Sequence, residues 1–247
     1  MTPPSTHPTV DVIEATELRL VEEPPPQLPA EHRAARDRIW DELADANTAL
    51  FDGPVVVCTS LTRPHPHELH LGWARVTYRN FALRHVPGAT ALPSLFVDVL
   101  QPTDDGKLLI ARMSTATAHP GRWHLPGGSV EQPDPGRPLD IASLRGNAAR
   151  ELLEELDIDT DPDALTLRAV TRGNHGNIGV HFAAPPKPAA FLKGRFQAVL
   201  SAATAVGQHP ELDRIAFVQS PKDLTELDAP HADYLEPLVD RYARILL

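Results

Sequence analysis

Seven residues, Arg150-Glu151-Leu152-Leu153-Glu154-Glu155-Leu156, hold one guanidinium and three carboxylates. On a helix, Glu151, Glu154 and Glu155 fall at i, i+3 and i+4, so their side chains converge on one patch. Like charges placed this way repel, at about a few tenths of a kcal/mol per pair on an exposed helix. A divalent cation reverses the sign of that cost, because hard cations seek carboxylate and phosphate oxygens together. The spacing therefore points to phosphate groups handled through metal ions. Just upstream, Leu125-Pro126-Gly127-Gly128 forms a turn whose backbone amides and carbonyls can come close to an anion or a metal.

These groups must be held by a helix on one side and a sheet on the other. At about 100° per residue, Ala148, Ala149, Leu152, Leu153 and Leu156 share an arc of about 140°, and Arg150, Glu151, Glu154 and Glu155 share the opposite one. One face should pack on a sheet while the other stays charged. Taken alone, such a helix reads as a solvated surface element with an Arg150–Glu154 pair. The preceding glycine turn is what makes the conjunction unusual.

Further elements follow from periodicity and turn chemistry. Residues 1–29 are Pro-rich and read as a tail or extended strap. A helix is expected over 31–46, a strand over 55–59 and one or two strands within 68–86. Residues 94–100 and 107–112 form a hairpin about Asp104-Asp105-Gly106. A helix over 139–156, strands over 166–171, 180–183 and 213–218, a short helix over 198–206 and a closing helix over 232–246 complete the chain. Mixed strands with segregated helices indicate an α/β or α+β sandwich. We expect three parts: the tail 1–29, a helix and β-rich extension over 30–88, and a main domain over 89–247.

Composition narrows the function. The net charge of −10 argues against nonspecific nucleic-acid binding, which needs Lys and Arg to neutralise phosphates. A single cysteine, Cys58, excludes an intrachain disulfide and fits a reducing compartment. The first residues show neither a basic n-region nor an apolar h-region, and no apolar run is long enough to span a bilayer. The expected location is the cytoplasm, with no membrane partner.

Residues 125–131 and 150–158 together resemble the signature of the Nudix hydrolases: Gly, five residues, Glu, seven residues, then Arg-Glu-apolar-x-Glu-Glu-x-Gly-apolar. Arg150, Glu151, Leu152, Glu154, Glu155 and Ile158 match in register. The resemblance implies an α/β/α sandwich with a mixed sheet. It also implies cleavage of a nucleoside diphosphate linked to another moiety, such as a sugar or ADP-ribose, with Mg²⁺ or Mn²⁺. By the same resemblance, Glu151, Glu154 and Glu155 ligate the metal, the Gly128 carbonyl is a further ligand and Arg150 orients a carboxylate. A homodimer is a family-level expectation. The chain also departs from the pattern. Twenty-one residues separate Gly128 from Arg150, against thirteen in the signature. Counted from Gly136 the spacing is correct, but the first Glu slot then holds Ala142. From Gly128 that slot is ambiguous, with Asp134 and Asp140 as stand-ins. The final Gly slot holds Asp157. Ile39-Trp40, Asn47 and Leu50-Phe51-Asp52-Gly53-Pro54 are similar to the lead-in of Nudix enzymes that split UDP-glucose and UDP-galactose. That likeness implies a small β-rich cap, or else a lead-in that extends the sheet without touching substrate.

Several residues remain candidates for the chemistry. Glu211 and Asp213 precede a strand, where a general base of the family often sits; turn chemistry around Pro210 is the competing account. His175 could reach a phosphate or sugar, Arg122 could meet a phosphate, and His124 alternates within a strand next to the loop. Trp123 and Phe217 read as core. His65, His67 and His70 cluster, but Pro64 and Pro66 point to a solvated loop. Two alternatives to a hydrolase stay open: a Nudix-like sensor that binds a nucleotide sugar without cleaving it, and an isomerase, which would need a catalytic cysteine nearer the site than Cys58.

Overall fold

The computed structural model describes residues 10–47, 50–117, 119–174 and 176–246. The chain first lays down β1 (Asp11–Ile13) and β2 (Glu17–Glu22), then α1 (Ala30–Ala46), β3 (Pro54–His65) and β4 (Glu68–Thr77). A 3₁₀ segment, Tyr78–His85, leads into β5 (Leu95–Pro102) and β6 (Leu108–Met113). Next come β7 (Trp123–His124), β8 (Gly127–Ser129), α2 (Ile141–Leu156), β9 (Thr166–Arg172) and β10 (Ile178–Ala183). The chain finishes with α3 (Ala189–Ala205), β11 (Leu212–Val218), α4 (Pro221–Thr225) and α5 (Leu235–Leu246).

Two sheets result. The larger has the order β1-β9-β10-β5-β6-β11, with β7 paired to β6 and β8 to β5. β10 runs parallel to β5 and the other pairings are antiparallel, so the sheet is mixed. The smaller has the order β2-β4-β3. Alternation along β5 sends Val97 and Val99 into one core with Leu152, Leu192 and Phe196, and sends Leu100 into another with Trp123, Leu235 and Val239. Thus α2 and α3 cover one face of the large sheet and α5 covers the other. This is the expected three-layer sandwich. Val56, Leu71 and Trp73 of the small sheet join the first core, so the two sheets share one apolar interior.

The structure differs from the sequence-based expectation in three places. Part of the expected tail, residues 11–13 and 17–22, is strand: β1 pairs with β9 of the large sheet and β2 with β4 of the small one. Proline is concentrated after β2, where Pro24-Pro25-Pro26 ends the pairing. The helix over 198–206 is longer and starts at Ala189, directly after Pro188. The histidine cluster spans a hairpin, with exposed His67 in its two-residue turn. His65 ends β3 and His70 lies within β4, where it pairs with Glu68 at 2.5 Å. Pro64 is accommodated because β3 is the edge of its sheet and its register shifts between Thr62 and His65.

β8 links the two sheets. Gly127, Gly128 and Ser129 stand opposite Asp98, Val97 and Phe96 of β5. One step further, Val130 accepts a hydrogen bond from Val56 N–H at 3.1 Å, and Glu131 bridges Val55 of the small sheet. The Gln132 amide then donates to the carbonyls of Val55 (3.1 Å) and Val76 (2.7 Å). Gly127 has φ +150°, and a Cβ there would lie 2.1 Å from the Val97 carbonyl oxygen. We predict that Gly127→Ala costs at least about 2 kcal/mol, since both the backbone and its neighbour must move. A urea denaturation midpoint equal to wild type would contradict this.

Candidate active site

Helix α2 begins at Asp140, whose carboxylate accepts from Ser143 N–H at 2.8 Å as an N-cap. It ends at Asp157, which adopts φ 55° and ψ 36° while its N–H bonds back to Leu152 and Leu153. That left-handed cap is the slot where the signature has glycine. Asp is among the few side chains that enter this conformation readily, so the substitution leaves the helix end intact. Asp134 is exposed in a turn whose carbonyl accepts from Arg137 N–H. Neither proposed stand-in for the first glutamate therefore lies among the carboxylates described below.

The apolar face holds with one exchange. Ala148, Ala149, Leu152 and Leu156 are buried, but Leu153 is 46% exposed and Glu155 only 7%. The helix is turned so that Glu155 faces the sheet. Its carboxylate accepts a hydrogen bond from Gly127 N–H at 2.9 Å. Next to it, a Cβ on Gly128 would fall 2.8 Å from Glu151 Oε2, so the missing side chain is the space Glu151 occupies. Glu154 turns outward, 57% exposed. Arg150 is ringed by acids, with its guanidinium 3.2 Å from Glu131, 3.4 Å from Glu151 and 3.3 Å from Glu154. Asn147 orders this edge by accepting from Glu131 N–H at 3.2 Å.

Burial sets the electrostatics. Loss of solvent pushes Glu151 up to about 7, with Arg150 pulling the other way and Glu154, Glu211 and Glu131 adding to the rise. Glu155 is raised well above the usual carboxylate range, first by burial and then by the Glu151 charge, while the Gly127 N–H opposes it. Asp98, on β5 opposite Gly127, is raised by burial as well, although the Tyr234 hydroxyl donates to it. Its Oδ2 has no hydrogen-bond partner and lies 3.6 Å from His181 Nδ1, which is equally unpartnered. Several acids with shifted pKa gathered in one place make this the candidate functional centre.

A cleft of about 610 Å³ opens beside these carboxylates. Glu151, Glu154 and Glu155 form one wall and α3 the other, with Glu211 at the end. The structure thus brings Glu211 to the glutamate helix. Asp213 does not reach it, because its carboxylate is taken by Arg112 at 2.8 and 3.2 Å. Arg122 lies 3.9 Å from Asp233, and His124 is buried with its pKa pushed down to about 4 by desolvation. Trp123 is core, as expected, and Phe217 packs against the core. Cys58 is buried in β3, and burial lifts its thiol to about 11, which suits no nucleophile. His175 lies outside the described residues. The sequence reading missed Asp98, Tyr234 and Glu131. Asp98 carried a signal, as the one charge within the apolar run 95–100.

Glu151 and Glu155 suit a hard divalent cation in chemistry and in place: all-oxygen donors beside a turn that a Cβ would fill. Glu154 stands apart with Arg150. Accordingly, among the described residues no three His, Cys, Asp or Glu side chains stand close enough together to hold a metal ion. No helix among them is long and apolar enough to cross a membrane.

The chain belongs to the Nudix family, since the profile described as NUDIX domain matches residues 95–240. The family's enzymes are pyrophosphohydrolases, and the chain is an enzyme of that class. Among solved structures it is similar to the MutT protein of Methanosarcina mazei Go1, at 20% identity over 62% of this chain and 96% of that one, with a TM-score of 0.39. It is also similar to NrtR of Shewanella oneidensis, at 19% identity over 62% and 63% of the two chains, with a TM-score of 0.38. A bifunctional NMN adenylyltransferase/ADP ribose pyrophosphatase of Francisella tularensis matches at 16% identity over 59% of this chain and 40% of that one, with a TM-score of 0.37. Comparison with curated proteins found no match.

The shifted acids predict how stability depends on pH. A carboxyl whose folded pKa is raised favours the folded state below its unfolded pKa and loses that contribution as pH rises through the folded pKa. Glu151, Glu155 and Asp98 all have this sign. His119, His124 and His181 are depressed, so they oppose it up to about pH 7, where imidazoles of the unfolded chain are mostly neutral. In EDTA the melting temperature should therefore fall between pH 7 and 8. Glu155→Gln should flatten the slope. A melting temperature that rises over that interval contradicts this account.

Proposed function

We propose that this protein hydrolyses the diphosphate of a nucleoside diphosphate linked to another moiety, a sugar or ADP-ribose, with Mg²⁺ or Mn²⁺ required. One observation carries the reading: Glu151, Glu154 and Glu155 of α2 and Glu211, just before β11, line one cleft beside the Gly127-Gly128 turn. Glu151, Glu155 and Glu154 would hold the cation, with the Gly128 carbonyl as a further donor. For Glu154 this means exchanging its contact with Arg150 for the metal. The bound cation would neutralise phosphoryl oxygens as charge builds on them.

The remaining steps fall to the chain itself. In-line attack needs a water held by a base within the cleft. Glu211 is the carboxylate there that comes from outside the glutamate helix, which makes it our choice for that base. Arg150 is a positioning group: its contacts with Glu131, Glu151 and Glu154 spread one positive charge over three acids and orient them. The Gly127 N–H fixes the Glu155 carboxylate in the same way.

With Mg²⁺ at pH 8, wild type should release a nucleoside monophosphate from a nucleoside diphosphate sugar or from ADP-ribose, and excess EDTA should abolish release. Glu155→Gln should lower kcat by about 100-fold or more, and Glu211→Gln by about 100- to 10,000-fold. Neither should lower the melting temperature in EDTA, because each removes a charge from an acidic cluster. Full activity in Glu155→Gln would sink the proposal.

A further inference from the structure

The walls of the cleft differ sharply in chemistry. Opposite the glutamates, α3 presents Ala198, Val199, Ala202 and Ala203, followed by Val206. Val206 is 67% exposed and Leu153, on the glutamate side, 46% exposed, so alkyl surface faces the opening. Gln208 and His209 supply neutral or weakly basic hydrogen-bonding groups beside Glu211. Among the described residues no lysine, arginine, phenylalanine, tyrosine or tryptophan lines this space. The guanidinium groups at its margin are engaged: Arg150 by Glu131, Glu151 and Glu154, and Arg195 by Asp157.

Two kinds of ligand fit such walls badly. A nucleobase binds well where an aromatic ring or a free guanidinium plane stacks on it, and the cleft has neither. A group with its own negative charge, beyond that of the diphosphate, would meet carboxylates with no cation left to answer it. Alkyl surface with a few neutral donors and acceptors suits a saturated, uncharged group, whose C–H faces can lie on alanine and whose hydroxyls can reach Gln208 or His209.

We infer that the half of the substrate seated in this cleft is saturated and uncharged, a neutral hexose or an alkyl chain, and neither a second nucleoside nor an acid sugar. The inference rests on the diphosphate reading above and specifies the group on the far side of the diphosphate.

The test is a matched set. UDP-glucose and UDP-glucuronate differ by one carboxylate. Diuridine diphosphate replaces the sugar with a nucleoside, and the n-octyl ester of UDP separates an alkyl chain from a hexose. UDP-glucose or the n-octyl ester of UDP should exceed UDP-glucuronate and diuridine diphosphate in kcat/KM by at least about tenfold. Whichever of the two leads names the source. Ala202→Lys, an exposed helical position on the cleft wall, should narrow the kcat/KM ratio of UDP-glucose to UDP-glucuronate by at least about fivefold, whatever its effect on UDP-glucose alone. The same compounds titrated calorimetrically with Ca²⁺ give the affinity order without relying on turnover. If nothing is hydrolysed but that order holds, the hydrolase reading falls and the selectivity stands. Equal preference for the glucuronate or the dinucleotide, no measurable binding of any compound, or an unchanged ratio in Ala202→Lys overturns the inference.

Discussion

Two carboxylates meet a stretch of backbone that has no side chains, and the organisation of this protein turns on that meeting. Glu155 takes the Gly127 N–H, and Glu151 fills the space that a Cβ on Gly128 would need. Any larger residue at either glycine would push helix α2 away from the sheet or turn its acids outward. The same turn presses on β5, with the Gly127 Cα side facing the Val97 carbonyl and Asp98. Strand, turn and helix therefore constrain one another within a few ångströms, and the acids are held in place before any ligand arrives.

Holding them there is unfavourable in the absence of a cation. Glu151, Glu155 and Asp98 are all buried enough to be pushed toward their neutral forms, and the Glu151 charge adds to the rise of the other two. A chain selected only for stability would replace some of them with apolar side chains of similar size. Retained acids that repel one another in a protected place are what a site for cations and phosphates requires. Arg150 offsets part of the repulsion by standing among Glu131, Glu151 and Glu154, which keeps the outer acids oriented while leaving Glu155 to the turn.

The small N-terminal sheet belongs to this arrangement. The strand that carries the glycines continues past Ser129 to pair with β3, and Gln132 fastens it to the carbonyls of two strands. Arg75 of β4 holds the next residue through the Pro133 carbonyl at 2.6 Å. The long connection from Gly128 to α2 is anchored at its start by these bonds and at its end by the Asp140 cap. Its additional length lies between two fixed points, so the glutamate helix keeps its register with the turn despite the departure from the signature spacing.

Much of this was legible in local pattern. The spacing of Glu151, Glu154 and Glu155, the apolar positions Ala148, Leu152 and Leu156, the paired glycines and the alternation along β5 are properties of short segments, governed by helical and strand geometry. They specified a helix with clustered acids lying on a mixed sheet. Residues 10–22 were misread because their pairing partners, β4 and β9, lie far along the chain, and a short strand declares itself through its partner. Which acid would be buried was likewise settled at a distance. Leu153 and Glu155 lie at opposite edges of the helical wheel, and a modest rotation exchanges their exposure. The rotation adopted is the one that lets Glu155 reach a backbone N–H 28 residues earlier. Composition and spacing determined which groups could act together. Only the folded chain decided which of them meet, because hydrogen bonds and close approaches between remote segments depend on the packing of both sheets.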